Sequence, residues 1–127
     1  MECVEEACKL IETNRKRFCA WNLTLVQAKA PDGLVDLPAP NAVFIGGTRG
    51  QLDGILDAAL AKNPRVRIVT TAIALESLQR AQESLTARGY ELDITQIQVS
   101  RARKAGSLHL MMAENPIYLI TGERKAE

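Results

Sequence analysis

The segment from Pro40 to Gly50 constrains the fold of this chain more than any other. A short apolar run, Ala42–Ile45, stops abruptly at Gly46 and Gly47, and a pattern typical of a helix follows. In α/β proteins a buried parallel strand enters a loop in this way, at the edge of the sheet where ligands bind. Three glycines within five residues exceed what a turn requires, and glycine lets the backbone approach a ligand closely. We therefore interpret this loop as a site, although an ordinary strand-to-helix turn explains glycines equally well.

Composition favours a single α/β domain over residues 1–127, with a core of aliphatic side chains. Hydrophobic residues make up 46% of the sequence but aromatic residues only 4%. The formal charge of +1 argues against nucleic acid and anionic membranes as partners. No apolar run approaches the roughly 18 residues of a membrane span, and no basic-then-apolar leader is visible, so we expect a cytoplasmic location.

The cysteines indicate reduced thiols rather than a metal centre. Cys3, Cys8 and Cys19 form no CxxC pair, and the only histidine, His109, is distant from them in sequence. We therefore expect no metal site.

Hydrophobic periodicity predicts a helix first and then an alternation of strands and helices. We expect helices over residues 3–19, 52–60 and 75–85, and strands at 23–26, 42–45, from 66 onward, at 92–99 and at 117–121. Strands separated by helices require a parallel sheet. The last two strands have no helix between them, so we expect an antiparallel hairpin with a long connection over residues 100–116. A change of apolar parity between Ile94 and Ile97 predicts a bulge or burial on both faces.

Four segments together resemble a known family. They are Pro40–Gly47, Thr71–Glu76, Gln98–Arg101 and Asn115–Gly122, in that order. The chain is similar over nearly its whole length to the decarboxylating precorrin methyltransferases of cobalamin synthesis. This family comprises the C-terminal domain of precorrin-6Y methylase and stand-alone cobalt-precorrin C15-methyltransferases. The resemblance implies a Rossmann-like class I methyltransferase sheet, mostly parallel, that ends in an antiparallel hairpin.

The resemblance also implies an activity and a cofactor. The family transfers a methyl group from S-adenosylmethionine to C15 of the macrocycle and removes the carboxyl group of the ring C acetate. Glu2 matches an acid that would bind the ribose hydroxyls, and Ala30 and Pro31 would lie beside the adenine. For Glu2, the alternative is an acid that is simply favoured early in a helix.

The loop and a later basic cluster are the implied contacts to the tetrapyrrole substrate. Gly46, Gly47 and Arg49 could place amides and a guanidinium near the reacting acetate, as catalytic residues. A second set of residues could clamp the substrate's carboxylates or could be an ordinary solvated loop. That set is Arg101, Arg103, Lys104 and His109.

The sequence departs from the family pattern in ways that affect function. No counterpart of the family's first strand, Gly-rich turn and following helix is present, Asn41 replaces the usual Asp, and Thr71 replaces the usual Asn. We therefore expect a partial domain that lacks this first unit and is inactive alone. Open sheet edges should favour a homo-oligomer. The alternative is a non-catalytic α/β module that binds a nucleotide or a partner chain.

Overall fold

The computed structural model describes residues 1–124, which form a helical layer on a small mixed sheet. In chain order the elements are α1 (Glu5–Arg17), a short 3₁₀ helix (Asp32–Leu34), β1 (Ala42–Ile45), α2 (Leu52–Lys62), β2 (Arg67–Ala72), α3 (Leu75–Thr86), β3 (Glu91–Ile97), β4 (Ser100–Ala105), β5 (Leu108–Ala113) and β6 (Ile117–Glu123).

The main sheet confirms the predicted topology. Its strand order is β1-β2-β6-β3, with β1 parallel to β2 and with β6 antiparallel to both of its neighbours. Strands β1, β2 and β3 therefore run in one direction and only β6 runs in the other. Strand β6 returns beside β3 from Glu91↔Glu123 to Ile97↔Ile117, which is the antiparallel pairing expected for the end of the chain.

The core lies between one face of this sheet and helices α2 and α3. Leu52, Ile55, Leu56 and Ala59 are buried and recur at helical spacing, so α2 presents one apolar stripe to the sheet. Their partners in the same cluster come from alternate strand positions and from α3; they include Ile45, Ile68, Ala81, Leu85 and Ile120. Aliphatic side chains fill this core, as the composition predicts.

Tyr90 closes the core where α3 meets β3. Its hydroxyl donates a hydrogen bond of 2.8 Å to the Val66 carbonyl, and burial raises the pKa of the phenol. Gly122 of β6 lies under the ring, and a Cβ at this position would be only 3.0 Å from Tyr90 Cδ1. The small residue thus lets the aromatic ring pack on the sheet.

One prediction for the first part of the chain is wrong. Residues 23–26 do not form a strand; the only β contact in this region is an isolated parallel bridge between Glu2 and Gln27. The predicted first helix is confirmed as α1 and is two residues shorter at each end; the φ of 51° at Cys19 is incompatible with a longer C-terminal end.

The predicted bulge or two-sided burial in β3 is also wrong. The pairing with β6 is continuous over all seven residues, and β3 is the edge of the sheet. Ile94 and Ile97 remain 39% and 46% exposed. The change of parity therefore reflects apolar residues on a solvent-facing edge.

The long connection over residues 100–116 contains structure that the sequence did not predict. Strands β4 and β5 pair as an antiparallel hairpin from Ser100↔Ala113 to Ala105↔Leu108, in a sheet separate from the main one. Gly106, with a φ of 62°, makes the tight turn.

Arg88 ties α2 to the end of α3. Its guanidinium contacts Asp57 at 2.8 Å and Asp53 at 3.0 Å, and it also donates to the Ser84 carbonyl at 2.8 Å. The Arg88 side chain is only 19% exposed. One partly buried cation therefore links α2 to the end of α3.

We predict that Arg88→Ala lowers the free energy of unfolding by about 1–2 kcal/mol, since three charge-assisted hydrogen bonds are lost. Urea denaturation measures this change. Arg67→Ala is the matched control, because the Arg67–Glu123 pair at 2.9 Å is mostly exposed and should be worth less than about 0.5 kcal/mol. Equal losses in the two variants would contradict a special role for Arg88.

Asp53 should make stability depend on pH. A hydrogen bond from Ser84 and the nearby Arg88 lower the pKa of this carboxyl below its usual value. The contribution of Asp53 to the free energy of unfolding is therefore fully present above the pKa of an unfolded-state Asp. It is lost as the pH falls through the lowered pKa of the folded state. We predict that the wild type loses more stability than Asp53→Asn between about pH 5 and pH 2 in urea titrations. Parallel pH profiles for the two proteins would contradict this assignment.

Candidate functional site

The loop after β1 is held by a hydrogen bond at its start, and its two glycines border open space. The Ile45 carbonyl at the end of β1 accepts a hydrogen bond of 3.2 Å from the Thr70 hydroxyl, which is buried in β2. The following Gly47 has no atom within 4 Å of the place where a Cβ would stand, and at Gly46 the nearest is 3.5 Å away. Packing within the described chain therefore does not demand glycine at either position, and the space beside them is open.

Arg49 adopts a backbone conformation that is unusual for a residue with a side chain. Its φ is 46°, and the next residue, Gly50, has a φ of 85°. Left-handed conformations are costly for residues other than glycine and cluster at functional sites. Arg49 lines a cavity, and its charge contributes to the lowered pKa of the Glu2 carboxyl, which lines the same cavity.

Glu2 is placed by main-chain hydrogen bonds to a distant segment. Its N–H donates to the Val26 carbonyl at 3.1 Å, and its carbonyl accepts from the Ala28 N–H at 3.0 Å. The Glu2 carboxylate accepts hydrogen bonds from the amides of Val4 and Cys3, which lower its pKa below the usual value. The lowered pKa favours the ionised carboxylate, and Glu2 lies before the first turn of α1 and lines the cavity.

One cavity of about 800 Å³ joins these features. Its walls come from the first three residues, from the segment after Gln27, from β1 with its loop, and from α2. They include Met1, Glu2, Cys3, Ala28, Lys29, Ala30, Leu34, Phe44, Ile45, Gly46, Gly47, Arg49, Ile55, Ala58, Ala59 and Lys62. The volume is in the range of small-molecule and cofactor sites.

The structure thus brings together most of the residues that the sequence predicts for the cofactor and the chemistry. Glu2, Ala30, Gly46, Gly47 and Arg49 all line the cavity. Pro31 is not among the lining residues. Its ring packs over Gly54 of α2, where a Cβ would stand 3.2 Å from Pro31 Cγ, so this proline positions the segment instead.

The four basic residues predicted to contact substrate lie elsewhere, on the β4–β5 hairpin. None of them lines the cavity. Arg101 pairs with Met112 and Arg103 with Leu110, whereas Lys104 pairs with His109. Because side chains alternate along a strand, the two arginines share one face and Lys104 and His109 share the other. A single clamp made of all four would need both faces of the hairpin.

Two lysines of the cavity were not predicted from the sequence. The Lys62 ammonium donates to the carbonyls of Leu37 and Val35, the latter at 2.7 Å, and so holds the segment before β1 against α2. Lys29 also lines the cavity. A lysine at the end of a helix gives no sequence signal for such a role, because basic residues are common there.

Over residues 1–124 no group of three or more metal-ligating side chains comes together, and no helix is long and apolar enough to cross a membrane.

Comparison with known proteins agrees with this geometry. The family model described as a precorrin methyltransferase domain matches residues 1–124. A probable cobalt-precorrin-6B C(15)-methyltransferase (decarboxylating) from Pyrobaculum calidifontis is 38% identical over 118 residues, which cover 92% of this chain and 60% of that protein. The chain spans about three fifths of the length of the curated relatives it matches.

Solved structures show the same similarity. A precorrin-6y C5,15-methyltransferase from Geobacter metallireducens superposes with a TM-score of 0.85 at 37% identity, covering 95% of this chain and 63% of that one. A precorrin 8w decarboxylase from Methanobacterium thermoautotrophicum gives a TM-score of 0.85 at 32% identity, with coverage of 95% and 66%.

A more distant structure bears on the fold alone. An O-methyltransferase from Thermotoga maritima, named as SAM-dependent, has a TM-score of 0.71 at 13% identity, covering 99% of this chain and 49% of that one. This match confirms the predicted Rossmann-like class I methyltransferase fold. With the family model matched over almost the whole chain, the protein belongs to the precorrin methyltransferase family.

Proposed function

We propose that this chain is the part of an enzyme that methylates C15 of a precorrin and removes the carboxyl group of the ring C acetate, with S-adenosylmethionine as methyl donor. The observation that carries the proposal is the shared cavity. The acid Glu2 and the open Gly46–Gly47 loop both line it, and relatives of the chain are named cobalt-precorrin-6B C(15)-methyltransferase (decarboxylating).

The cavity suits a nucleoside-containing donor on one side. An ionised carboxylate accepts two charge-assisted hydrogen bonds from vicinal hydroxyls, and Glu2 is held ionised by the amides of Val4 and Cys3. Ala30 supplies an apolar surface of the kind a purine ring contacts, and Pro31 holds that segment against α2. When bound, the donor supplies an electrophilic methyl group on a sulfonium.

The loop after β1 suits the reacting part of the substrate. Gly46 and Gly47 leave room for close approach, so their backbone can border a bulky macrocycle. Arg49 can orient the acetate carboxylate through its guanidinium. Decarboxylation breaks the bond between the acetate methylene and the carboxyl carbon, CO₂ leaves, and the electron pair passes into the conjugated macrocycle. The residues of this chain act by orientation and by exclusion of water.

The β4–β5 hairpin is the second substrate contact in this proposal. Arg101 and Arg103, on one of its faces, do not line the cavity, so they would contact substrate carboxylates if the hairpin bends over the cavity or serves a neighbouring subunit. Lys104 and His109 would then contact carboxylates from the opposite face. Their exposure supports this role and also fits a solvated surface.

Residues 1–127 by themselves should bind the donor weakly. They contain no Gly-rich turn of the kind that holds the methionine part of the donor, so only the ribose and adenine contacts of the cavity are available. Weak binding of the donor would indicate an incomplete enzyme site. Absence of binding would favour the alternative, a non-catalytic module that binds a nucleotide or a partner chain.

Titration calorimetry with S-adenosylhomocysteine tests the donor site. We predict measurable binding that weakens about tenfold in Glu2→Gln, since the neutral amide loses the charge-assisted bonds. Lys29→Gln, on the same cavity wall, is the matched control and should change affinity less than about threefold. Absence of binding at millimolar ligand would refute the proposal for this chain and favour the non-catalytic alternative.

We also propose that the chain forms a homo-oligomer. The hairpin, the edge strand β3 and the segments that join the hairpin to the main sheet expose many large apolar side chains, and such surfaces mark interaction sites. These are Ile94, Ile97, Val99, Leu108, Leu110, Met111, Met112 and Ile117, each at least 39% exposed. The expectation from the sequence rests instead on sheet edges left open by the absence of the family's first strand.

Sedimentation equilibrium tests the association. We predict an oligomer at micromolar concentration that dissociates about tenfold more readily in Leu110→Lys, because a charge then enters an apolar contact. Leu10→Lys is the matched control, since Leu10 is exposed on α1, away from the hairpin. A wild-type protein that stays monomeric at high concentration would contradict this prediction.

A further inference from the structure

The carboxyl edge of the main sheet carries a row of exposed aliphatic side chains. Ala72 and Tyr118 are the last register pair between β2 and β6. Ile73 leaves the sheet directly after this pair, and Ile117 enters the sheet directly before it. Ile117 in turn pairs with Ile97, the last residue of β3. Three neighbouring strands, β2, β6 and β3, therefore place an isoleucine at the same edge, and none of these strands borders the open side of β1.

Local packing does not cover the apolar side chains at the start of α3. A residue before the N-cap of a helix often packs against the fourth helical residue; here these are Ile73 and Leu78, because Ala74 is the N-cap. Leu78 packs against the core, but Ile73 remains 59% exposed. Leu75, the first residue of α3, is 66% exposed, and Ile117 is 40% exposed. We call Ile73, Leu75 and Ile117 the apolar edge.

Cationic side chains belong to the segments on both sides of the apolar edge. On one side, the loop with Arg49 follows β1, which is parallel to β2 and ends at the same edge of the sheet. On the other side, β3 leads through two residues into β4, which carries Arg101 and Arg103. With strands about 4.8 Å apart, the edge from β1 to β3 is about 14 Å wide. An apolar centre between guanidinium groups is complementary to a flat unsaturated ring with carboxylates on its periphery.

We infer that the apolar edge contacts the flat face of the tetrapyrrole ring and so sets the tilt of the substrate. This inference rests on the proposed function, because it names further contacts of the same substrate. The contact removes apolar surface of both partners from water, so it does not depend on charge. The arginines would fix the rotation of the ring through its carboxylates. Tilt and rotation together would hold the reacting acetate at the Gly46–Gly47 loop.

A fluorescent porphyrin tests these contacts in the absence of the methyl donor. The probe is uroporphyrin, which has acetate and propionate side chains on a flat conjugated ring, and fluorescence anisotropy follows its binding to the chain. We expect the double variant Ile73→Gln/Leu75→Gln to bind the probe at least about tenfold more weakly, because glutamine brings a polar group into an apolar contact. Leu10→Gln, at a 64% exposed position on α1, is the matched control and should change the affinity less than about threefold.

Two further measurements separate an apolar contact from a structural effect and from a charge effect. Ile73→Val/Leu75→Met keeps the apolar surface and should bind within about threefold of the wild type. At about 1 M NaCl the loss caused by the glutamine double variant should persist, whereas the loss caused by Arg101→Gln should shrink, because salt screens charges. Circular dichroism checks the fold, and Leu75→Gln alone, with an expected loss of about threefold, replaces the double variant if that variant unfolds.

Three outcomes would overturn the inference. One is equal binding of the probe by the wild type and by the glutamine double variant, and another is absence of probe binding at about 0.1 mM. The third is loss of self-association of the probe-free protein in the glutamine double variant, since a second copy would then cover the apolar edge. Ile73 and Leu75 lie outside the surface proposed above for self-association. A failure of the donor site would appear in the titration with S-adenosylhomocysteine and not in this experiment, because no donor is present.

Discussion

The parallel pairing of β1 with β2 is the constraint on which the rest of the structure depends. Parallel neighbours need a crossover, and α2 provides it by packing Ile55 and Leu56 against the sheet. This crossover fixes the loop after Ile45 at the carboxyl edge of the sheet. The Thr70 hydroxyl reinforces the pairing by holding the last carbonyl of β1. The glycine loop, Arg49 and the cavity wall all take their positions from this pair of strands.

Local periodicity was sufficient to predict the part of the fold that is built from this pairing. The apolar positions of α2 and α3 recur with helical spacing, and Gly46 and Asn63 mark the ends of the preceding elements. The antiparallel return of β6 beside β3 follows from the absence of a helix between them. These features depend on residues that are close together in the sequence, so they can be predicted from the sequence alone.

The parts that the sequence did not reveal depend on contacts between distant segments. Residues 23–26 have strand-like composition but no described partner strand, and only Gln27 meets Glu2. The hairpin of β4 and β5 is rich in charges and exposed methionines, so its alternation does not stand out as a half-buried strand. In the site, the glycine loop was predicted from the strand-to-glycine pattern and Glu2 and Ala30 by resemblance, whereas Lys62 acts through carbonyls 25 and 27 positions away. Spacing along the chain carries no information about such contacts.

The attachment of the hairpin has a consequence for the evolution of this protein. It joins the main sheet through only two short strand-to-strand joints, which are bridged by the hydrogen bond from the Glu114 N–H to the Val99 carbonyl at 2.8 Å. Substitutions or length changes beside the Glu114–Val99 hydrogen bond would change the orientation of the hairpin and move its two arginines. The core residues Leu56, Ile68 and Ile120 would keep their positions. The position of these positive charges can therefore change in evolution while the buried core, which contains no hairpin residue, keeps its packing.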